Sequence, residues 1–565
     1  MCSRHEENGI PVCSPIQTLN DLLHWEPGQD SLCISREPLQ PRAPHPPRPL
    51  TLVCHDMMMG YLEDRFVQSV NKENGYRFFN WQYVDIFVYF SHHFITIPPC
   101  GWIISAHRNR VPILGTLITE NEKGKNICKQ FLSSPSKFMA VADKMIEIAE
   151  YYNMDGWLLN IENIVHKTQI QHLCDFVSYL KSKMGQRIPN SKVIWYDSVI
   201  NNGSLCWQNE LNEKNMIFFE KSDGLFLNYN WSKENLSKSK QLCTEKSRPY
   251  DVFVGVDVFG RGCYGGGGYN TNKALEVIRT EELSAAIFAN GWVYECHESK
   301  NYLENETKFW SLLHGFCPSH CPIALPLVTS FCHGYGQNYF LNGECISTQE
   351  WVSLGLQQLQ PVKCKETNAV VSHMMYLDDA FLGGGCLLVE KQTLKKNKNM
   401  SSIFSCCIPV TEPLLISYTT KHLFIDCSIQ LELTLQKENN VTILMFSDVG
   451  HSSTDYQISE LKKEKLLDIF GENVDFLPSN GHNGWQQHYF LLDENWISAK
   501  ITDISIGIGN KSDCKFSFLF GQLQILPIEN LWSSKKPDVL NIGMGIFYLY
   551  MTFFLNSSNS HISVV

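Results

Sequence analysis

The chain lacks any long run of lysine and arginine, and its formal net charge is −11 over 565 residues. A nucleic acid or an anionic membrane is held by a basic stripe, so neither is expected as the main partner. A neutral polar ligand fits better, and an aromatic share of 12% suits stacking on sugar rings as well as ordinary cores. The start, Met1-Cys2-Ser3-Arg4-His5-Glu6-Glu7, lacks the apolar segment of a secretory signal. A cytosolic location and reduced thiols are therefore expected for its 21 cysteines. Asn230-Trp231-Ser232 and Asn440-Val441-Thr442 are then chance sequons. Cys317 with Cys321, and Cys406-Cys407, lack a second ligand pair at zinc-finger spacing, so no metal and no cofactor are expected. The glycine run 260–268 lacks the Lys-Ser/Thr and the immediate helix of a phosphate loop. It reads as a mobile rim loop or a plain turn. The apolar segment 539–555 falls short of the ~20 residues that span a bilayer. Residues 536–565 are expected to be an atypical chain end, with membrane contact the lesser expectation.

What is present is a rhythm. A hydrophobic share of 44% supports a sizeable core, and the length allows about three or four domains. Residues 1–50 end in a proline-rich stretch and are expected to be a disordered or extended arm leading into the first domain. From residue 51, apolar runs rich in Val, Ile, Phe and Tyr recur at 51–54, 86–90, 113–118, 157–161, 193–195, 224–227, 252–258 and 285–289. Between the third and fourth, Phe138, Val141, Ala142, Met145, Ile148 and Ala149 follow a helical period. Between the fourth and fifth, Ile170, Leu173, Phe176, Val177 and Leu180 do the same. Eight buried strands alternating with helices predict a parallel (β/α)8 TIM barrel over 51–322. An open doubly wound sheet is the competitor. Polar and aromatic residues after nearly every strand favour the barrel, which gathers its site at the C-terminal rim. From 323 to 535, short alternating strands predict an antiparallel β-sandwich. Within it, Asp378–Gly385 and Gly484-Trp485 are either a sugar-binding edge or turns and core.

The rim residues carry the chemistry. In Asp155-Gly156-Trp157-Leu158-Leu159-Asn160-Ile161-Glu162-Asn163, period-two alternation puts Leu158, Asn160 and Glu162 on one face. A carboxylate at the end of a buried strand is costly unless used. Glu162 is the candidate general acid, its pKa raised by partial burial. Its partner two positions away is an amide, which is neither nucleophile nor base. Asn160 can instead accept a hydrogen bond from a substrate N–H and hold an acetamido group whose oxygen attacks the anomeric carbon, a known exception to the two-carboxylate scheme. Two same-face strand residues lie roughly 6.5–7 Å apart, a suitable span for the two groups. Tyr196 is placed to bond the acetamido oxygen. Substrate-binding candidates are His55, Asp56, Asp197, Asn228, Tyr229, Trp231, Asp257 and Trp292; for the aromatics, core packing is the competing role. Two other readings stay open on the residues alone. One is a glycan-binding barrel with little turnover, and the other a retaining glycosidase that uses Asp197 or Asp257 as its second carboxylate.

The Asp155–Asn163 stretch resembles the signature of glycoside hydrolase family 85, the cytosolic endo-β-N-acetylglucosaminidases. The resemblance extends over Leu52-Val53-Cys54-His55-Asp56, Phe87-Val88-Tyr89-Phe90-Ser91-His92-His93, Leu114-Gly115-Thr116-Leu117-Ile118-Thr119-Glu120, Trp195-Tyr196-Asp197-Ser198, Asn228-Tyr229-Asn230-Trp231, Val254-Gly255-Val256-Asp257-Val258-Phe259 and Gly291-Trp292-Val293-Tyr294-Glu295. It covers the whole barrel and continues from Leu327-Val328-Thr329-Ser330-Phe331-Cys332. It implies cleavage between the two N-acetylglucosamines of the N-glycan core, on high-mannose and free oligosaccharides in the cytosol, with no metal. It assigns the acid/base to Glu162, orientation of the acetamido group to Asn160 and assistance to Tyr196. It also implies transfer of the glycan to an acceptor sugar in place of water. One departure is Met59-Gly60-Tyr61, where the family tends to carry a glycine pair.

Overall fold

The structure is a computed structural model and describes residues 6–7, 10–28, 30–42, 44–362, 371–391, 399–424, 428–447, 457–462, 466, 483–508 and 515–528. The expected apolar chain end, 536–565, lies outside the described residues. The chain divides into two compact units, Met1–Val67 with Asn80–Ser319, and Gln68–Phe79 with His320–Val565.

In the first unit the apolar runs become eight strands. They are β1 Thr51–His55, β2 Ile86–Tyr89, β3 Ile113–Glu120, β4 Gly156–Glu162, β5 Lys192–Tyr196, β6 Gly224–Leu227, β7 Val252–Asp257 and β8 Ser284–Phe288. Each pairs in parallel with the next, and β8 pairs with β1, so the ring closes. Closure leaves no open edge among these eight strands. The two-residue strand Ile95–Thr96 adds to β3 in antiparallel fashion.

Alternate residues fill the ring. Leu52, Cys54, Ile86, Val88, Leu114, Ile118, Leu158, Ile194, Phe226, Phe253 and Ala286 form one buried cluster. The opposite faces meet the helices. Trp195 stacks on Phe218 with centroids 4.2 Å apart. The two periodic segments form α3 Pro135–Tyr152 and α4 Ile170–Arg187, after α1 Cys100–Arg108 and α2 Asn121–Phe131. Pro135 sits in the first turn of α3, where its missing N–H costs nothing. Asn153 ends that helix at φ +62°, a left-handed cap that asparagine tolerates. Further along the barrel lie α5 Met216–Lys221, α6 Lys233–Glu245, α7 Thr271–Thr280 and α8 Tyr302–Leu313.

Of the two expectations for the N-terminal arm, disorder is corrected for its described residues, which are packed on the barrel unit. Val12 bridges Phe66 and Ile16 bridges Ile95, a helix forms at Leu19–Leu23 under the Thr18 cap, and Leu22 is fully buried. The proline-rich part is tied down by charge. Arg42 and Arg48 both reach Asp85, at 2.8 and 2.9 Å, and Asp85 also accepts from the Thr51 N–H at 2.9 Å. The two guanidiniums hold that carboxylate below its ordinary range against the opposing effect of burial. Prolines lower the entropy lost on docking such a stretch, and composition alone does not reveal the acceptor 40 residues away.

The second unit holds two facing sheets. One runs Val371–Tyr376, Cys386–Lys391, Phe516–Pro527, Leu414–Phe424, Gln486–Leu492, with Leu327–Thr329 beside Phe516–Pro527. The other runs Met400–Pro409, Lys500–Ile508, Ile429–Lys437, Asn440–Ser447, Gln457–Ser459. Leu414, Ile416, Tyr418 and Phe520 of the first share a buried cluster with Leu431, Leu433, Ile504 and Ile506 of the second. The pairing is antiparallel apart from the short contact of Asn440–Ser447 with Gln457–Ser459. Asp379 accepts from Lys421 at 2.6 Å and from the Trp485 indole at 3.2 Å, and Trp485 is buried against Phe381. This stretch is core and turn, the second of the two roles expected for it. The segment 68–79 belongs to this unit: Val70 bridges Val352, and Gln357 donates to the Phe78 carbonyl at 2.7 Å.

Gly156 opens β4 at φ +150°, and a Cβ there would lie 1.9 Å from the Lys192 carbonyl oxygen. Gly156→Ala is expected to destabilise the chain by about 3 kcal/mol or more, read as a fall in the denaturant midpoint. An unchanged midpoint would show that the start of the β4–β5 pairing yields freely.

Candidate active site

Residues that continue the inward phase of each strand converge at the C-terminal rim. On β4, Leu158 lies in the barrel interior, so Asn160 and Glu162 follow it on the same face. Glu162 is half-buried, whereas Asn160 is buried and its Oδ1 has no hydrogen-bond partner. On β3, Glu120 stands directly opposite Glu162 in the parallel register. Glu120 bonds His92 Nδ1 at 3.2 Å. On β5, Tyr196 is buried in the interior cluster and donates its hydroxyl proton to Asn228 Oδ1 at 2.9 Å.

Burial and crowding set the charge states. Burial raises Glu162 to about 7, and the nearby Glu120 carboxylate adds to this. The Asn160 side chain and His92 pull it back down. A carboxyl at that value is present in both forms near neutrality and can give and take a proton. Glu120 raises His92, which favours its charged form. Burial raises Asp56, opposed by His92 and Arg261 and reinforced by Asp257 and Glu120. Asp257 is held by Arg261 Nε at 2.8 Å. Asp56, Glu120, Glu162 and Asp257 thus share a rim with His92 and Arg261.

The structure separates the sequence candidates. Asn160, Glu162, Tyr196, Asn228, Asp56 and Asp257 fall on inward positions. Tyr229 joins them, its ring 6.4 Å from Tyr196 and 5.3 Å from Phe288, and its hydroxyl acts on the Tyr196 oxygen. His55 does not join them. It faces outward, 4.5 Å from the Trp102 ring, and bonds the Asn290 side chain, and burial lowers it to about 3. Asp197 also faces outward. It accepts from the N–H groups of Gln208 and Asn209 at 3.0 and 2.7 Å and from Asn215 Nδ2 at 3.1 Å. Trp231 is buried and donates to the Gly255 carbonyl at 2.8 Å while stacking on Tyr264. Trp292 is half-buried against Tyr269 and His297. For His55 and Asp197 the reason is the same: adjacent residues of a strand point to opposite faces, and Asp56 and Tyr196 take the inward ones.

Sequence reasoning left Glu120, His92, Asn209 and Arg261 out of the site. Glu120 and His92 carried a signal, being charged residues at strand ends. Asn209 and Arg261 lie in loops, where no periodicity assigns a direction. The glycine loop is tightly folded: a Cβ at Gly260, φ +74°, would meet the Gly266 carbonyl oxygen at 2.2 Å. Its turn brings Arg261 back onto Asp257 and Tyr264 onto Trp231. Among the described residues, no group of three or more His, Cys, Asp or Glu side chains is placed to hold a metal ion. No helix among them is long and apolar enough to cross a membrane.

Residues 61–339 match the sequence profile of glycosyl hydrolase family 85. The chain is 38% identical over 534 residues to a cytosolic endo-beta-N-acetylglucosaminidase of Danio rerio, covering 92% of this chain and 74% of that one. The chain belongs to glycosyl hydrolase family 85. A Homo sapiens family relative of the same name is 36% identical over 542 residues, covering 92% of this chain and 72% of that one. The crystal structure of the glycoside hydrolase domain of Endo-D from Streptococcus pneumoniae R6 superposes with a TM-score of 0.71 at 20% identity, covering 92% and 83%. At that identity it supports the fold of this family 85 chain, a TIM barrel followed by β-sheet structure.

Titration of the Glu162 carboxyl by carbon-13 NMR should give a midpoint near about 7. Glu120→Gln removes the larger of the two nearby charge effects and should lower that midpoint, even though His92 loses part of its own charge. A midpoint in the ordinary carboxyl range in the unaltered chain would remove Glu162 as a proton donor at neutral pH.

Proposed function

We propose that this chain is an endo-β-N-acetylglucosaminidase. It hydrolyses the β-1,4 bond between the two N-acetylglucosamines of the N-glycan core, with retention, using the substrate's 2-acetamido oxygen as nucleophile. The observation that carries this reading is the pair on β4: a carboxyl raised to about 7 beside a buried carboxamide oxygen that has no partner. A buried acceptor left open costs about 1–3 kcal/mol, and an acetamido N–H supplies the missing donor.

The reaction follows from those groups. Asn160 Oδ1 accepts the acetamido N–H and Tyr196 bonds the acetamido oxygen. That oxygen forms a bond to the anomeric carbon as the glycosidic C–O bond breaks, and the Glu162 proton goes to the departing oxygen. The oxazolinium ring formed is positive. Its N–H is more acidic than the amide's, so its bond to Asn160 strengthens when the barrier is crossed. The carboxylates around the rim favour that charge. Glu162, now ionised, takes a proton from water as the water oxygen attacks the same carbon and opens the ring. A sugar hydroxyl in place of water gives transfer. Two inversions leave the configuration retained.

The two-carboxylate reading finds less support. Asp197 lies on the outer face with its oxygens taken by N–H donors, and Asp257 is committed to Arg261. The glycan-binding reading does not explain a carboxyl poised near neutrality. The relatives' names support an endo-β-N-acetylglucosaminidase that works in the cytosol.

Mass analysis of a high-mannose glycopeptide after incubation tests the reading: the peptide should retain one N-acetylglucosamine. Glu162→Gln should abolish release. Asn160→Ala is expected to slow it by about 100-fold or more, and near-normal turnover in that variant sinks the substrate-assisted scheme. A thiazoline mimic of the intermediate should inhibit strongly. In kcat/KM, the limb above about pH 7 should fall as Glu162 ionises, since the acid form starts the reaction.

A further inference from the structure

We propose that Asp197, Asn209 and Asn228 form a positioning relay that fixes the Tyr196 hydroxyl and decides where its proton points. The relay starts from backbone N–H groups, which can only donate. The Asn230 N–H meets the Asn209 side chain at 3.0 Å, so the atom there is the oxygen. The same oxygen accepts from Asn228 Nδ2 at 2.8 Å. The amide plane of Asn228 is thereby set, and its oxygen is the atom that faces Tyr196, at 2.9 Å. A carbonyl oxygen accepts only, so with no ligand bound the Tyr196 proton points to it.

Asn209 is itself held. Its backbone N–H donates to the buried Asp197 carboxylate at 2.7 Å, as do the Gln208 N–H at 3.0 Å and Asn215 Nδ2 at 3.1 Å, and the Asn228 backbone N–H adds a further bond to it. Burial raises Asp197 to about 6, but these donors favour its charged form. The strand order explains the economy of the arrangement. Asp197 follows Tyr196 in sequence and points the opposite way, so one strand end carries both the reacting tyrosine and the anchor of the loop that aligns it. In the resting protein Tyr196 turns its proton to Asn228. A bound acetamido oxygen draws that proton into the cleft, and Asn228 Oδ1 then takes a donor from the sugar or from water. Asp197, Asn209 and Asn228 act through Tyr196.

The inference rests on the proposed reaction, and it is tested with the full chain and the high-mannose glycopeptide. Asn209 has φ +58°, where glycine is unstrained, so Asn209→Gly removes the acceptor without distorting the turn. It should lower kcat about tenfold with KM within about twofold. Asn209→Asp keeps an acceptor oxygen and should stay within about twofold of the unaltered kcat. In a Tyr196→Phe background, Asn209→Gly should cost nothing more. Full kcat in Asn209→Gly, or the same loss in the Tyr196→Phe background, overturns the relay. If the unaltered chain releases no glycan, the proposed reaction falls and the relay is judged by NMR. With tyrosines labelled at 13Cζ, the Tyr196 signal, identified by its loss in Tyr196→Phe, should move in Asn209→Gly and stay in Asn209→Asp. An unmoved signal in Asn209→Gly overturns the relay.

Discussion

Closure of eight parallel strands into one ring is the constraint on which the site depends. A parallel strand carries its partners in a fixed slanted register, and its side chains alternate with period two. Once Leu158, Ile118 and Ile194 are committed to the interior, the direction of every later residue on their strands is settled. Glu162 and Glu120 are brought face to face by this register, with no contribution from affinity between them. Burial at the rim raises the proton affinity of Glu162, and the Glu120 carboxylate that the register sets beside it adds to this. That rise is a by-product of packing leucine and isoleucine below.

The same alternation divides labour between neighbours in sequence. Tyr196 and Asp197 are adjacent yet serve opposite surfaces, one the cleft and one the loop behind it. His55 and Asp56 divide likewise, the imidazole sitting among Phe87, Tyr89 and Trp102. Loop residues then supply what strands cannot, because a loop can return a side chain to the strand it left. Arg261 reaches back to Asp257, four positions earlier.

Much of the barrel was legible because buried parallel strands are continuous apolar runs and their helices keep a clean period. Asn160, Glu162 and Tyr196 were legible because polar groups stand out against such runs. What was hidden depends on distant partners. The Arg42–Asp85–Arg48 cluster turns a proline-rich stretch into part of the fold, and nothing local in 1–50 reports Asp85. Face assignment failed at His55 and Asp197 because polar dipeptides at strand ends were read as units, although successive residues diverge. Asn209 left no trace at all: its place beside Asn228 and Asn230 comes from a left-handed turn.

The seam between β8 and β1 has a consequence for how the chain is made. Leu50 donates to Ser284 Oγ across 234 positions, and Arg279 reaches the carbonyls of Leu50 and Phe316 and the Thr51 hydroxyl. The first barrel strand to leave the ribosome therefore waits for the last before its outer edge is paired. During that interval it is an exposed template for other strands. Such long-range closure is slow. Arg279 and Ser284 are thus the late arrivals that close this edge.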